Sequence, residues 1–71
     1  MTDNDWLLKQ LREAAGGWVS QDELIRRSQN ERGHGLTVHS RIADLRKQGH
    51  TITNMLRARG DRRQSFYRLA A

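Results

Sequence analysis

The stretch Leu36-Thr37-Val38-His39-Ser40-Arg41-Ile42-Ala43-Asp44-Leu45-Arg46-Lys47-Gln48-Gly49 decides how the rest of the chain is read. Val38, Ile42 and Leu45 recur at i, i+4 and i+7, the spacing of one helix face. Thr37 stands where a side-chain oxygen can accept a free amide at a helix start. Gly49 stands where left-handed backbone can end one. The spacing predicts a helix over 38–48. Its opposite face presents Thr37, Ser40, Arg41, Ala43, Asp44 and Lys47, with His39 and Arg46 at the flanks. Any surface helix of a small domain has an apolar stripe and a charged face. A thin stripe with a small, polar, cationic outer face also suits a DNA major groove. The flanking sequence weighs between the two.

On the N-terminal side, a first helix is expected over 3–15. Thr2, Asp3 or Asn4 can cap it, and Leu7, Leu8, Leu11, Ala14 and Ala15 form its buried face. Trp6 can pack or stay partly exposed. Gly16-Gly17 stops the helix, and Trp18-Val19 reads as a short extended piece able to pair at the edge of a hairpin. Ser20-Gln21-Asp22-Glu23 has the form of a capping box, in which Ser and Glu satisfy each other's free amides. It predicts a second helix over 21–29, with Leu24, Ile25 and Ser28 inward. Asn30–Gly35 then reads as a mobile turn with two glycines and no apolar residue. It is longer than the turn of a tight helix-turn-helix. Arg32 and His34 within it are solvated, or meet a partner.

On the C-terminal side, strands are expected at about 51–57 and 64–69. Thr51, Ile52 and Thr53 are strand formers. Ile52, Asn54 and Leu56 share one face, and Thr53, Met55 and Arg57 the other. In the second strand Tyr67 and Leu69 oppose Phe66 and Arg68. Arg59-Gly60-Asp61-Arg62 is the turn, so Arg57, Arg59, Arg62 and Arg63 gather at the hairpin tip. Four arginines there bury nothing and repel one another. A partner is the simplest reason for them, and a solvated tip the alternative. The expected core joins Leu7, Leu8, Leu11, Leu24, Ile25, Val38, Ile42 and Leu45, covered by Ile52, Leu56, Tyr67 and Leu69, with Trp18 buried at the edge.

These pieces predict one α+β domain, mostly helical: three helices and a C-terminal β-hairpin. The 71 residues hold no cysteine, which excludes disulfides and thiolate metal sites. No apolar run is long enough to span a bilayer and no signal-peptide pattern is present, so no membrane partner and a cytoplasmic location are expected. The net charge of +5 is unevenly placed. Residues 1–36 carry five Lys/Arg against six Asp/Glu, and residues 37–71 carry eight against two. A basic half favours a polyanion, although net charge also serves solubility. Of the thirteen basic residues only Lys9 and Lys47 are lysine. The planar guanidinium fork matches phosphates and guanine edges.

The order helix, short strand, helix, turn, helix, strand, basic turn, strand is that of a winged helix-turn-helix. The pattern Thr-x4-Ile-x2-Leu-Arg-Lys-x-Gly-x2-Ile over Thr37–Ile52 resembles the recognition-helix-to-wing passage of small bacterial and phage winged helix-turn-helix proteins. Phe66-Tyr67-Arg68-Leu69 resembles their last wing strand. The resemblance implies sequence-specific binding of double-stranded DNA, by a transcriptional regulator or a phage recombination or accessory factor in a bacterial or phage-infected cell. It implies that the Thr37–Gln48 helix enters the major groove with His39, Ser40, Arg41, Asp44 and Lys47 toward the bases. It implies that the wing Arg57–Arg63 lies on the backbone or in the minor groove. A homodimer on neighbouring half-sites would add affinity.

Each residue keeps an ordinary role beside the functional one. Arg41 can fork onto guanine O6 and N7, or pair with Asp44 along the helix. Thr37 and Ser40 can take phosphates, or Thr37 can cap. Asp44 repels phosphate, so it reads cytosine N4, orients an arginine, or faces solvent. Arg46 snorkels over the core. Catalysis has little support: His34, His39 and His50 lack metal spacing, and no phosphate loop or nucleophile motif is present. No enzyme, cofactor or small-molecule substrate is expected. Two rivals to duplex binding remain. One is a winged-helix interaction module that docks an acidic protein. The other is a binder of single strands or RNA, which needs aromatics on an exposed platform, with Trp6 and Phe66 as the candidates.

Overall fold

Reciprocal hydrogen bonds start α1 (Asp3–Glu13). The Asp5 amide donates to Thr2 Oγ1 at 3.1 Å and the Thr2 amide donates to Asp5 Oδ2 at 3.3 Å, so two orphan donors are satisfied at once. The helix ends two residues earlier than the sequence suggests. Ala15 takes a left-handed φ of 51°, and its amide turns back to the Arg12 carbonyl. Ser20 caps α2 (Gln21–Arg32) by accepting from the Glu23 amide at 3.1 Å. The expected second half of that box is replaced: the Glu23 carboxylate turns outward to Arg26 and Arg27.

The computed structural model describes residues 1–70; the side chain of Arg59 and residue Ala71 lie outside the described residues. It is a small α+β fold with three helices and one antiparallel sheet of three strands, ordered β1-β3-β2. β1 is Val19–Ser20, β2 Ile52–Arg59 and β3 Arg62–Leu69. Val19 lies opposite Tyr67, and Ile52 opposite Leu69. β2 and β3 meet across a two-residue loop, Gly60-Asp61, so both strands reach further into the tip than the sequence suggests.

The joint between the last two helices corrects an expectation. α2 runs to Arg32, three residues past Gln29, because Asn30 to Arg32 are compatible with a helix and Gly33 is the first residue to turn left-handed, at φ 78°. The connection is Gly33–Thr37 rather than Asn30–Gly35, and it is tied down at both ends. Arg32 donates from Nε and Nη2 to Asp3 Oδ1 at 3.1 and 3.0 Å, and from Nη2 to the Met1 carbonyl at 3.0 Å. His34 Nε2 lies 3.2 Å from Asp3 Oδ2. Ser28, fully buried, donates to the Ile25 carbonyl at 2.7 Å and accepts from the Leu36 amide at 2.9 Å. That pair stops Leu36 from leaving a buried donor unpaired, which would cost about 1–3 kcal/mol.

α3 is Val38–Lys47. Thr37 does not cap it: its ψ of 82° carries no side-chain cap bond, and its backbone carbonyl only accepts the Arg41 amide at 3.2 Å. The core is Trp6, Leu7, Leu11, Val19, Leu24, Leu36, Val38, Ile42, Leu45, Ile52 and Tyr67, with Leu8, Ala14, Ile25 and Leu69 packed against it. Two expectations about apolar residues change, for Trp18 and Leu56, and the open reading of Trp6 is decided. Trp6 is buried at 3 % exposure, Trp18 stands out at 38 %, and Leu56 is 62 % exposed. Leu56 lies opposite Ser65, on the hairpin beyond the span over which Ile52 and Tyr67 reach the core. Arg46 does more than cover the core, since its Nε and Nη2 donate to the Ile52 carbonyl at 3.2 and 2.8 Å, joining α3 to β2. Among the described residues, no helix is long and apolar enough to cross a membrane.

Candidate functional site

Burying Val38, Ile42 and Leu45 fixes which side of α3 faces out. At 100° per residue, Ser40, Ala43 and Lys47 lie opposite the core, and all three are exposed. His39 flanks that row on one side, exposed; Arg41 and Asp44 flank it on the other, half-buried. Thr37 is exposed just ahead of the first turn. Arg41 Nη1 lies 3.6 Å from Asp44 Oδ2. A partly exposed pair of this kind stabilises a helix by only a few tenths of a kcal/mol, so Arg41 is released at little cost. Its Nε is shielded from solvent and has no hydrogen-bond partner among the described residues.

The hairpin arginines follow from strand alternation. Core contact ends at Ile52 on β2 and at Tyr67 on β3, and the distal half of the hairpin carries charge instead. Arg57, Arg62 and Arg63 are exposed. None of the three makes an ion pair among the described residues. The side chain of Arg59 lies outside the described residues. Arg62, Arg63 and Gln64 share a surface hollow with Asp22 of the first turn of α2. The structure thus brings Arg62 and Arg63 together with the start of α2. No hydrogen bond or ion pair joins them to the α3 row among the described residues.

The acids elsewhere are held by the fold. Asp3 is kept below the ordinary aspartate value, first by the hydrogen bond with His34; burial pulls it upward, and the hydrogen bond of Arg32 with the charges of His34 and Arg32 completes the net lowering. The Thr2 backbone amide and hydroxyl lower Asp5. Burial raises the Glu23 carboxyl, and the bonds and charges of Arg27 and Arg26 outweigh it, leaving a net lowering. Burial raises the Tyr67 phenol, whose hydroxyl donates to Gln21 Oε1 at 3.2 Å. Among the described residues, no group of three His, Cys, Asp or Glu side chains could hold a metal ion.

A second cluster escapes the sequence reading. The Arg68 guanidinium sits 4.8 Å from the centre of the Trp18 ring, on the sheet face turned away from the helices. Period-two alternation already places Phe66 with Arg68; what it misses is that β1 pairs with β3 so as to turn Val19 inward and Trp18 outward. Comparison with protein-family models, with curated proteins and with solved structures gives no match.

Proposed function

We propose that the chain is a winged helix-turn-helix protein that binds double-stranded DNA. In this reading α3 enters the major groove and the β2–β3 hairpin is the wing. The observation that carries it is the hairpin tip: Arg57, Arg62 and Arg63 are exposed and none of them makes an ion pair among the described residues. Like charges gathered at a solvent-exposed tip repel one another, and duplex phosphates relieve that repulsion. The row Ser40, Ala43 and Lys47 supports the same reading, because the small Ser40 and Ala43 let a helix approach base edges and Lys47 adds a cation. His39, Arg41 and Asp44 at its flanks are the candidates for base contact, and Thr37 for phosphate. The Arg41–Asp44 pair supports a role for Asp44 in aiming the guanidinium. Its role is that of a cytoplasmic regulator of transcription or a recombination accessory factor, with two copies on adjacent half-sites.

Titration of a labelled random-sequence duplex at low and moderate salt tests this. Neutralising about five phosphates gives a log–log salt slope of about −4 to −5. Absence of duplex binding at low salt overturns the proposal. Binding of an acidic polypeptide in its place would favour a protein-docking role for the same tip.

A further inference from the structure

The helices pack on one face of the sheet and leave the other bare. Ile52, Tyr67, Leu69 and Val19 point to the core, so alternation turns Thr53, Met55 and Arg57 of β2, and Arg62, Gln64, Phe66 and Arg68 of β3, outward. The register sets these in rows: Trp18 and Arg68 beside Thr53, then Phe66 beside Met55, then Gln64 beside Arg57. Rows two residues apart are separated by about 7 Å. Trp18, Arg57, Arg62 and Arg68 are exposed, and Met55 and Phe66 are half-buried. Neither β2 nor β3 contains an Asp or Glu.

We infer that this outer sheet face is a second nucleic-acid site, one for a single strand. A polyanion fits a face where, among the described residues of β2 and β3, Arg57, Arg62 and Arg68 meet no carboxylate. Flat, partly apolar ligands fit an exposed indole with a phenyl ring and a thioether along the same face. An unpaired strand supplies both, phosphates for the arginines and base faces for Trp18 and Phe66; a duplex hides its base faces in the stack. Arg68 holds the indole against the sheet through its cation–π contact, so the ring is oriented before a base arrives. On their α1–α2 side Trp18 and Phe66 border a hollow of mixed charge, with Glu13, Glu23 and Glu31 beside Lys9 and Arg27, whereas β2 and β3 offer arginines without carboxylates. The inference does not depend on duplex binding by α3.

Tryptophan fluorescence tests it, because the chain has two indoles and Trp6 is buried. Oligodeoxythymidylate of about ten nucleotides, within the usual site sizes for single-strand grooves, is titrated at low salt. Saturable quenching of Trp18 is expected. Trp18→Ala abolishes the quenching and weakens binding about tenfold, measured by anisotropy of a labelled oligomer. Trp18→Phe keeps the binding and loses the quenching. Emission from Trp6 reports an intact core in both variants. Arg41→Ala with Lys47→Ala leaves the single-strand titration unchanged while it impairs duplex binding, so the α3 row and the sheet face fail separately, with Arg57 and Arg62 common to the wing and the face. Equal quenching and affinity with inorganic polyphosphate or with polyglutamate would overturn the inference, since neither offers a base. Unchanged oligomer affinity in Trp18→Ala would overturn it as well.

Discussion

In α1 and α2 several charged side chains answer one another. Lys9 faces Glu13, Arg26 and Arg27 share Glu23, and Arg32 binds Asp3. In the hairpin, Arg57, Arg62 and Arg63 have no such partner among the described residues. Composition alone would present both halves as charged surface. The difference lies in geometry: helix turns and helix ends bring opposite charges within reach, whereas neither β2 nor β3 contains an acid. Part of the charge in the helical half is taken up in ion pairs within the fold, and Arg57, Arg62 and Arg63 in the hairpin make none among the described residues.

Substitutions can break that contrast in order of size. Leu45→Ala in the core should lose about 2–5 kcal/mol in urea unfolding. By comparison, Arg62→Gln and Arg63→Gln should each stay within about 0.5 kcal/mol of the parent. A hairpin arginine whose loss unfolds the chain would erase the distinction. Replacing Arg57, Arg62 and Arg63 together by Gln should make the salt slope of duplex binding shallower by about 3, equally for every sequence. Ser28→Ala should lose about 1–3 kcal/mol, because the Leu36 amide loses its acceptor in a buried setting. Arg41→Ala should reduce discrimination between duplex sequences by about 1–3 kcal/mol, read by competition between selected and random duplexes.

The smallest effect concerns pH. Asp3 is held below its ordinary value by His34 and Arg32. Its contribution to stability is therefore complete above the ordinary aspartate value, about 4, and is lost as pH falls through the lower folded value. Asp3→Asn should flatten the acid limb of a stability–pH curve. An unchanged limb would mean that the clamp does not couple to folding.

Element order and the central apolar stripe could be read from the chain because they depend on local spacing. Val38, Ile42 and Leu45 needed only the helix period, and Ser20 with Glu23 needed only a cap. The joint could not be read that way, because Arg32 and His34 find Asp3 about thirty residues back in sequence. Trp18, expected at the buried edge, faces outward for a similar reason: a two-residue strand pairs with β3, and that distant pairing decides which neighbour faces inward. Among the candidate site residues, alternation and the helix period predicted exposure well. The Arg41–Asp44 pair stood as one of two readings, and the Trp18–Arg68 contact required the folded sheet.

The Arg46 clamp on Ile52 has a consequence for the molecule in a crowded cell. β2 pairs on one side only, so its other side is a template on which another copy's backbone can add a strand. The Ala70 amide donates to the Thr51 carbonyl, which sets the phase of the ladder, so the carbonyl of Ile52 points to that open side. The guanidinium already occupies it. Further along, Arg57 repels an incoming strand of the same kind. The uncharged run Thr53–Leu56 is therefore guarded at both ends, which gives this small protein resistance to aggregation by strand addition. Arg46→Met would open the first position, and turbidity on prolonged storage at high concentration would report it.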